Sequence, residues 1–189
     1  SSVHLPKNPV VFDIGAHIGT FSVFIADFLK NKCKIYSFEP DIENFNLLKN
    51  NIKLNKLQTV SINNQAVSDY NGRGFLKNKK MNTDAYYLDA KRKVTNCSVI
   101  TLLKAAKNNK VKKIDLLKMD IEGGEYKILL NKSSYKFIKD NVHYIFMEYH
   151  NINKKLNYFL IRKIVEKDFE ILSLKKSVLT LKNLSWNYD

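Results

Sequence analysis

A glycine-containing segment at residues 13–19 has the residue types of a nucleotide-binding loop. It reads Asp-Ile-Gly-Ala-His-Ile-Gly and overlaps the end of a short apolar run at residues 10–14. Gly15 allows a tight turn and a close backbone approach, and Gly19 lets a helix begin close to the strand, so a polar or anionic group can lie at the helix N-terminus. Asp13 precedes the first glycine, where a carboxylate suits an amino-acid cation better than a pyrophosphate. The segment therefore predicts a nucleotide-type site.

An acidic residue follows the second apolar run of the chain. Glu39 stands in the sequence Phe-Glu-Pro at residues 38–40, twenty residues after Gly19. In a doubly wound sheet, an acidic side chain at this place can accept hydrogen bonds from both hydroxyls of a ribose. The spacing between Glu39 and the glycine segment supports the prediction of a nucleoside site.

Three carboxylates follow a later apolar run at residues 113–119. Asp120, Glu122 and Glu125 belong to the sequence Asp-Ile-Glu-Gly-Gly-Glu at residues 120–125. They are expected at the carboxyl end of a strand, where open α/β sheets bind ligands. Glu125 lies further into the following helix, where it could equally complement the helix dipole.

A second titratable pair ends the apolar run at residues 142–147. Glu148 and His150 are expected at the same sheet edge. His150 is the stronger general-base candidate, because imidazole titrates near neutral pH without any perturbation. His143 begins that run at the opposite edge and His4 lies in the N-terminal segment, so both are expected to be structural or exposed.

Strand and helix patterns alternate along the chain and place these segments at strand ends. Short apolar runs predict buried strands, and apolar residues three or four positions apart predict helices. The alternation favours βαβ units and a mainly parallel sheet, hence an α/β fold. The strands are predicted at 10–14, 34–38, 60–64, 113–119 and 142–147, and the helices at 20–29, 40–55, 101–107 and 156–165.

Two further pairs of segments predict antiparallel strands. Residues 73–76 and 86–88 are predicted as short antiparallel additions within an otherwise irregular region. Residues 169–174 and 178–184, separated by Lys-Lys-Ser, predict a hairpin at the end of the chain.

The composition is typical of one soluble globular domain over residues 1–189. A hydrophobic share of 44% excludes intrinsic disorder and supplies a core that needs neither disulfides nor a structural metal. Cys33 and Cys97 stand far apart and are expected to be free, buried thiols. No apolar run approaches the roughly 18 residues that span a bilayer, and the first residues lack the regions of a signal peptide. A cytoplasmic protein without a membrane partner is expected.

The chain is strongly basic, with a formal net charge of +14. Basic surfaces bind phosphate backbones through counterion release, which makes RNA a possible partner. Arginine, the preferred residue for bidentate phosphate recognition, stands only at Arg73, Arg92 and Arg162. The excess of lysine is more typical of solvated surfaces.

Four motifs in a fixed order are more specific together than a single glycine motif. They are Val-Phe-Asp-Ile-Gly-Ala-His-Ile-Gly at 11–19, Phe-Glu-Pro at 38–40, Asn-Gln-Ala-Val-Ser-Asp at 64–69 and Leu-Lys-Met-Asp-Ile-Glu-Gly-Gly-Glu at 117–125. In this combination they resemble the motifs of FkbM-type methyltransferases, which are class I, S-adenosylmethionine-dependent enzymes. The resemblance covers roughly residues 10 to 150.

The resemblance implies a fold and a cofactor site. It implies a Rossmann-like, doubly wound sheet of seven mostly parallel strands with an antiparallel last strand. The 13–19 loop, with Asp13, Gly15 and Gly19, would hold the methionine part of S-adenosylmethionine, and His17 within it would contact cofactor or substrate. Glu39 would accept the ribose hydroxyls. Gln65, Ala66 and Val67 would border the adenine.

The resemblance also implies methyl transfer to a hydroxyl of a sugar, glycan or small metabolite. Of Asp120 and Glu122, one would position the acceptor hydroxyl and the other would contact the cofactor's ammonium group or the substrate. Glu148 and His150 complete the expected catalytic set, and metal-free chemistry is expected. The chain lacks the Asn- or Asp-Pro-Pro-aromatic sequence of amino-directed base methyltransferases, which disfavours base methylation.

Three alternatives stay open from the sequence. An RNA methyltransferase acting on a ribose or cap hydroxyl would use the lysines at 104, 107, 110, 112 and 113. A non-catalytic module would keep the fold without the chemistry. A nicotinamide-dependent dehydrogenase is a weaker alternative, because the first motif departs from Gly-x-Gly-x-x-Gly. Family members commonly carry further N-terminal segments, so we expect either an open acceptor site or a longer protein; the oligomeric state is left open.

Overall fold

The computed structural model describes residues 3–78, 86–89 and 96–187. Strands and helices alternate through most of this range, as the apolar periodicity predicts. The strands are β1 (Val10–Ile14), β2 (Lys34–Phe38), β3 (Val60–Asn63), β4 (Ala66–Ser68), β5 (Gly72–Asn78), β6 (Tyr86–Asp89), β7 (Cys97–Thr101), β8 (Ile114–Met119), β9 (Val142–Glu148), β10 (Phe169–Lys175) and β11 (Val178–Asn183). The helices are α1 (Thr20–Phe28), α2 (Ile42–Leu54), α3 (Leu102–Asn108), α4 (Glu125–Leu130), α5 (Lys132–Asn141) and α6 (Tyr158–Val165).

A seven-stranded sheet forms the centre of the fold, in the order β3-β2-β1-β8-β9-β11-β10. Strands β3, β2, β1, β8 and β9 are mutually parallel. Strand β11 is antiparallel to both of its neighbours, β9 and β10. This confirms the predicted Rossmann-like α/β fold, with its antiparallel last strand and its terminal hairpin.

The strand order reverses direction at β1, which lies between β2 and β8. From β1 the chain first adds β2 and β3 on one side and later adds β8 and β9 on the other. In open α/β sheets such a reversal leaves a crevice beyond the carboxyl ends of the central strands. The motifs at residues 13–19 and 120–125 both leave strands at this point.

Helices cover both faces of the sheet, so the central strands are buried on both sides. In β1, Phe12 and Ile14 belong to one apolar cluster, which includes residues of α3, α4, α5 and α6. Val11 belongs to the other cluster, which includes residues of α1 and α2. Successive side chains of a strand point to opposite faces, so a strand buried on both sides has a continuous apolar run. This is why the central strands could be predicted.

A second, smaller sheet has the order β4-β7-β5-β6. Strand β4 is parallel to β7, while β5 is antiparallel to both β7 and β6. The antiparallel pair predicted at 73–76 and 86–88 corresponds to β5 and β6. Strands β4 and β7 lie in the region that the sequence pattern left irregular.

One of the two helices between β8 and β9, α5, was not predicted from the sequence. Helix α5 is mostly polar and fully buries only Ser134 and Ile138, with Tyr135 and Phe137 partly buried, so its short sequence has few apolar residues from which to predict a helix. The side chain of Asn131 caps α5 by accepting a hydrogen bond from the backbone N–H of Ser134. Local capping and contact with the rest of the fold, more than periodicity, therefore define α5.

Two expectations about composition can be compared with the described residues. Cys33 and Cys97 are both buried and free, as expected. No helix in the described part of the chain is long and apolar enough to cross a membrane.

Candidate active site

The acidic residues singled out in the sequence leave neighbouring parallel strands at one edge of the sheet. Asp13 lies near the end of β1, Glu39 follows β2, Asp120 follows β8 and Glu148 ends β9. The carboxyl ends of parallel strands meet at the same edge, so the fold brings together residues that are more than 100 positions apart.

The loop after β1 is held between the ends of β2 and β8. The backbone N–H groups of Gly15 and Ala16 both donate to the carbonyl oxygen of Phe38, at 3.0 Å each. On the other side, the N–H of Asp120 donates to the carbonyl of Ile14 at 3.1 Å. Gly15 has a φ of +76°, and a Cβ there would lie 1.9 Å from the Asp120 carbonyl oxygen. The protein's own packing therefore requires a glycine at position 15.

The second glycine of the loop joins it to the first two helices. Gly19 caps the N-terminus of α1 with a left-handed φ of +90°. A Cβ on Gly19 would lie 2.5 Å from Cδ1 of Leu48 in α2. A glycine here lets α1 begin in close contact with α2. This contact fixes the position of the N-terminus of α1 beside the loop.

Asp13 lies behind the loop and has no exposed surface. Its Oδ2 accepts a hydrogen bond of 2.6 Å from the Ser22 hydroxyl, and its Oδ1 lies 3.2 Å from Lys118 Nζ. Asp13 therefore pairs with a lysine of the protein itself, whereas the sequence analysis expected the amino-acid cation of a ligand at this carboxylate.

Lys118 is a functional candidate that the sequence analysis did not single out. Its ammonium donates a hydrogen bond of 2.6 Å to the carbonyl of Gly15 and lies 4.0 Å from Oδ2 of Asp120. The residue is 8% exposed, and the other residues of its strand, apart from Asp115, are apolar. A lysine inside a buried-strand pattern is the signal that could have identified it, because buried charges are almost always paired.

Glu39 connects the end of β2 to the loop and to the start of α2. Its Oε2 accepts a hydrogen bond of 2.8 Å from the backbone N–H of His17, and its Oε1 accepts one of 2.9 Å from the N–H of Asp41. Burial raises the pKa of Glu39, while the two backbone hydrogen bonds oppose that rise. Each oxygen accepts one of these bonds, and a carboxylate oxygen can accept two, so capacity remains for two ligand hydroxyls.

The remaining residues predicted to bind the cofactor differ in which of their atoms are accessible to a ligand. His17 has a φ of +52° and an exposed side chain, while its backbone N–H is bound to Glu39. Gln65 is half-buried, and its amide nitrogen lies 3.2 Å from the Ser98 hydroxyl. Ala66 and Val67 are buried in two apolar clusters. Contacts of these last two with a ligand would therefore come from the backbone.

A cluster of ionisable side chains follows β8 and β9. His150 Nε2 lies 3.6 Å from Oε2 of Glu122 and 4.0 Å from Oδ1 of Asp120. His150 Nδ1 lies 3.4 Å from Oε1 of Glu125. Three carboxylates thus surround one imidazole. Glu122 and Asp120 lie near Nε2, and Glu125 lies near Nδ1.

Two groups of this cluster, Asp120 and His150, have a raised pKa. Burial is the main cause that raises the pKa of Asp120, with smaller rises from Glu148 and Glu122 and opposing effects of Lys118 and His150. Shared proximity of acidic groups disfavours the simultaneous ionisation of all of them. The rise in pKa favours the protonated form of Asp120 and of His150.

Glu148 is attached to the terminal hairpin. Its Oε1 accepts a hydrogen bond of 2.7 Å from the hydroxyl of Ser177, in the turn between β10 and β11. The N–H of Tyr149 also donates to the Ser177 carbonyl, at 2.8 Å. The hairpin therefore fixes Glu148 beside the cluster, and Glu148 acts on Asp120 through its charge.

The same cluster has the spacing of a possible cation site. Asp120, Glu125 and His150 each offer one ligand atom, and these atoms all lie within 4.8 Å of one another. Such a spacing suits a divalent cation, and it equally suits ion pairs among the three groups themselves.

Comparison with protein families places this geometry in a known context. The family model for the methyltransferase FkbM domain matches residues 13–172. The chain belongs to the FkbM methyltransferase family. This confirms the resemblance inferred from the four motifs, and the matched range includes every residue of the candidate site. No curated protein matches the chain.

Solved structures share the fold of this FkbM chain at low sequence identity. An FkbM methyltransferase from Methylobacillus flagellatus KT has a TM-score of 0.64 at 17% identity, covering 93% of this chain and 43% of that one. A precorrin-6y C5,15-methyltransferase from Geobacter metallireducens GS-15 has a TM-score of 0.53 at 9% identity, covering 96% and 83%. A Streptococcus mutans protein described as a methyltransferase, solved in complex with SAH, has a TM-score of 0.55 at 10% identity, covering 95% and 91%. This chain therefore spans less than half of the Methylobacillus protein.

Proposed function

We propose that this FkbM-family chain transfers a methyl group from S-adenosylmethionine to a hydroxyl of a sugar, a glycan or a small metabolite. The observation that carries the proposal is the convergence of Glu39, Asp120, Glu122 and His150 at the carboxyl edge of the sheet, where the strand order reverses. A nucleoside-binding carboxylate and a proton-accepting cluster lie at one edge, as a cofactor-dependent transfer to a hydroxyl requires.

The cofactor site is assigned to the loop after β1 and to Glu39. Glu39 fits the ribose, because its carboxylate is held by two backbone N–H groups and keeps one acceptor position on each oxygen. Asp13 and Lys118 support the loop from behind, through the Gly15 carbonyl. When bound, S-adenosylmethionine supplies an electrophilic methyl group on a sulfonium.

Other residues of the loop region complete the cofactor site. Asp120 keeps 36% of its side-chain surface exposed and can attract the cofactor's positive charge. Gln65, with the backbone of Ala66 and Val67, borders the adenine, and His17 faces cofactor or substrate.

The acceptor hydroxyl is assigned to the cluster after β8 and β9. Nε2 of His150 accepts the proton of the hydroxyl, and Asp120 and Glu122 orient the acceptor oxygen toward the methyl group. Glu148 contributes negative charge that keeps a proton within the cluster.

The position of the lysines disfavours RNA as the acceptor. Lys110, Lys112 and Lys113 directly precede β8, whereas Asp120 directly follows it. A six-residue strand is about 20 Å long, so these lysines lie near the opposite edge of the sheet from the proton-accepting cluster. These three lysines are therefore badly placed to hold a substrate at Asp120.

Isothermal titration of S-adenosylmethionine and SAH tests the cofactor site. The wild-type chain is expected to show saturable binding, and Glu39→Gln is expected to weaken it at least tenfold, because one ribose hydroxyl loses a charged acceptor, worth roughly 1.5–3 kcal/mol. Glu43→Gln is the matched control, since Glu43 is exposed in the first turn of α2. Equal binding by the Glu39 variant would reject this site, and no binding by folded wild-type protein would reject the enzyme.

A methyl-transfer assay with labelled cofactor tests the acceptor class. Sugars, glycans and RNA are supplied separately, and label in the acceptor is measured. We expect label in a hydroxylated sugar, glycan or metabolite, and none that depends on RNA. Transfer to RNA that falls steeply with added salt would instead support the RNA methyltransferase.

A further inference from the structure

We propose that Glu125 is a positioning residue, which holds the His150 imidazole with its proton on Nδ1 and leaves Nε2 free to accept the proton of the substrate hydroxyl. This inference rests on the proposed function and adds a residue to it. It assigns different tasks to the two nitrogens of one ring, according to the carboxylate that each faces.

Glu125 faces Nδ1 and is itself immobilised. Its Oε1 lies 3.4 Å from Nδ1, and the side chain has no exposed surface. The backbone N–H of Ile121 donates a hydrogen bond of 2.9 Å to the same oxygen. Among the described residues, neither the other oxygen, Oε2, nor Nδ1 of His150 has a hydrogen-bond partner, so the 3.4 Å contact joins two buried groups that each lack one. A buried carboxylate with spare acceptor capacity is stabilised by any nearby N–H, and Nδ1 is the ring atom beside it.

The backbone of His150 is fixed from the same helix. The hydroxyl of Tyr126, the next residue after Glu125, donates a hydrogen bond of 2.9 Å to the carbonyl oxygen of His150. Burial and then the Glu125 charge raise the pKa of Tyr126 to about 12, so the hydroxyl stays protonated and remains a donor. Two consecutive residues at the start of α4 therefore hold the ring and the main chain of His150.

Nε2 faces the side of the ring where the substrate is assigned. Asp120 and Glu122 lie 4.0 Å and 3.6 Å from it, both beyond hydrogen-bond distance, and both are partly exposed. Lys118 Nζ lies on the far side of Asp120, at 4.0 Å from its Oδ2. An acceptor hydroxyl oriented by Asp120 and Glu122 can therefore approach Nε2 from solvent, while Nδ1 stays enclosed.

The chemical consequence follows from the state of the neutral ring. With the proton on Nδ1, Nε2 carries the lone pair that removes the hydroxyl proton. The electron pair of that O–H bond remains on the oxygen. A lone pair of this oxygen forms the bond to the methyl carbon, while the electron pair of the broken carbon–sulfur bond stays on sulfur. The imidazolium that results is stabilised by Glu125, as a buried carboxylate does for a catalytic histidine in general.

The charges around the ring are consistent with this assignment. Contact with Glu125 is the main cause that raises the pKa of His150; burial opposes the rise, and Glu125, Glu122 and Asp120 add to it through their charges. The carboxylate on Nδ1 thus has a larger effect on the imidazolium than either carboxylate on the Nε2 side.

Nitrogen NMR of histidine-labelled protein tests the inference without substrate or cofactor. The His150 signals are assigned with His150→Gln, and the neutral ring is observed well above its pKa. We expect the proton on Nδ1. We also expect Glu125→Gln to lower the pKa of His150 clearly more than the matched change Glu122→Gln does, while Glu122→Gln leaves the proton on Nδ1.

Three results would overturn the inference. They are a wild-type neutral ring protonated on Nε2, a His150 pKa that responds to Glu122→Gln but not to Glu125→Gln, and selective broadening of His150 by micromolar Mn²⁺, which would indicate a cation site at His150. If Glu125→Gln does not fold, the wild-type proton position decides. Cofactor titration fails or succeeds independently of all three, so the two proposals are tested separately.

Discussion

The ion pair of Asp13 and Lys118 lies under the loop that we assign to the cofactor. The two residues are register partners on the parallel strands β1 and β8, and neither is more than 8% exposed. Lys118 also binds the Gly15 carbonyl, so the pair links the shape of the loop to the neighbouring strand. A buried pair is weak evidence for stability as such, but loss of one partner leaves an uncompensated charge.

Substitution of Lys118 by methionine tests this role. We expect Lys118→Met to lower the free energy of unfolding by about 3–5 kcal/mol, because the Asp13 carboxylate is left buried without its cation. The double variant Asp13→Asn/Lys118→Met should recover most of that loss. Guanidinium unfolding measures both.

A surface lysine is the control for this prediction. Lys136 forms an exposed pair with Asp140 within α5, and Lys136→Met should cost no more than about 0.5 kcal/mol. Similar losses for Lys118→Met and Lys136→Met would contradict a structural role of the buried pair.

At the scale of elements, the start of α2 links a helix to the candidate ribose site. The Asp41 side chain accepts hydrogen bonds from the backbone N–H groups of Glu43 and Asn44, while its own N–H donates to Glu39. The end of β2, the acidic residue and the first turn of the helix thus form one hydrogen-bonded unit. Displacement of the helix start would move Glu39 as well.

Loss of the Asp41 cap is expected to destabilise the protein modestly. Asp41→Ala should lower the free energy of unfolding by about 1 kcal/mol, because two N–H groups at the N-terminus of α2 lose their acceptor. Asp41→Asn should have little effect, because asparagine caps about as well as aspartate. Urea unfolding of the three proteins measures this, and equal losses for both variants would assign the effect to charge instead of capping.

At the scale of the whole molecule, acidic side chains collect at the carboxyl edge of the sheet. The carboxyl edge carries Glu39, Asp120, Glu122, Glu125 and Glu148, while lysines precede β8 at the other edge. The net charge of +14 therefore does not describe the candidate site, which is locally acidic. An acidic site favours a cationic cofactor and a neutral acceptor.

Stability should depend on pH through His143, a buried residue of β9 that stacks on Trp186. Burial, and then the charge of Lys182, lower the pKa of His143 to about 4. Above about pH 6.5 the residue is neutral in both states and contributes no pH dependence. Between about pH 6.5 and 4 the unfolded chain binds a proton that the folded chain does not. The free energy of unfolding therefore decreases as the pH is lowered through this range, by up to about 3 kcal/mol.

His143→Phe isolates this contribution, since it keeps an aromatic ring against Trp186. Unfolding free energies of wild type and variant are compared from pH 7 to about pH 4, the range set by the ordinary and lowered pKa values. The wild type should lose more stability than the variant over this range. Parallel curves would show that His143 does not titrate differently in the folded state.

Much of the fold could be predicted from the sequence, because buried parallel strands are continuous apolar runs. The central strands, the terminal hairpin and the short pair β5–β6 were predicted close to their observed bounds. Helix α5 was not, because its sequence is mostly polar and fully buries only Ser134 and Ile138, which leaves few apolar residues from which to predict it. Its place depends on the Asn131 cap and on packing with distant elements.

For the candidate site, the sequence by itself determined which residue types follow which strands, and hence the family. Only the tertiary structure decided how these residues pair. The parallel register of β1 and β8 places Lys118 beside Asp13, and the start of α4 places Glu125 on one nitrogen of His150. Motifs are local, whereas burial and ionic pairing depend on which strand ends meet. A sequence pattern therefore identifies the ionisable side chains of the site, and the fold determines which of them are paired.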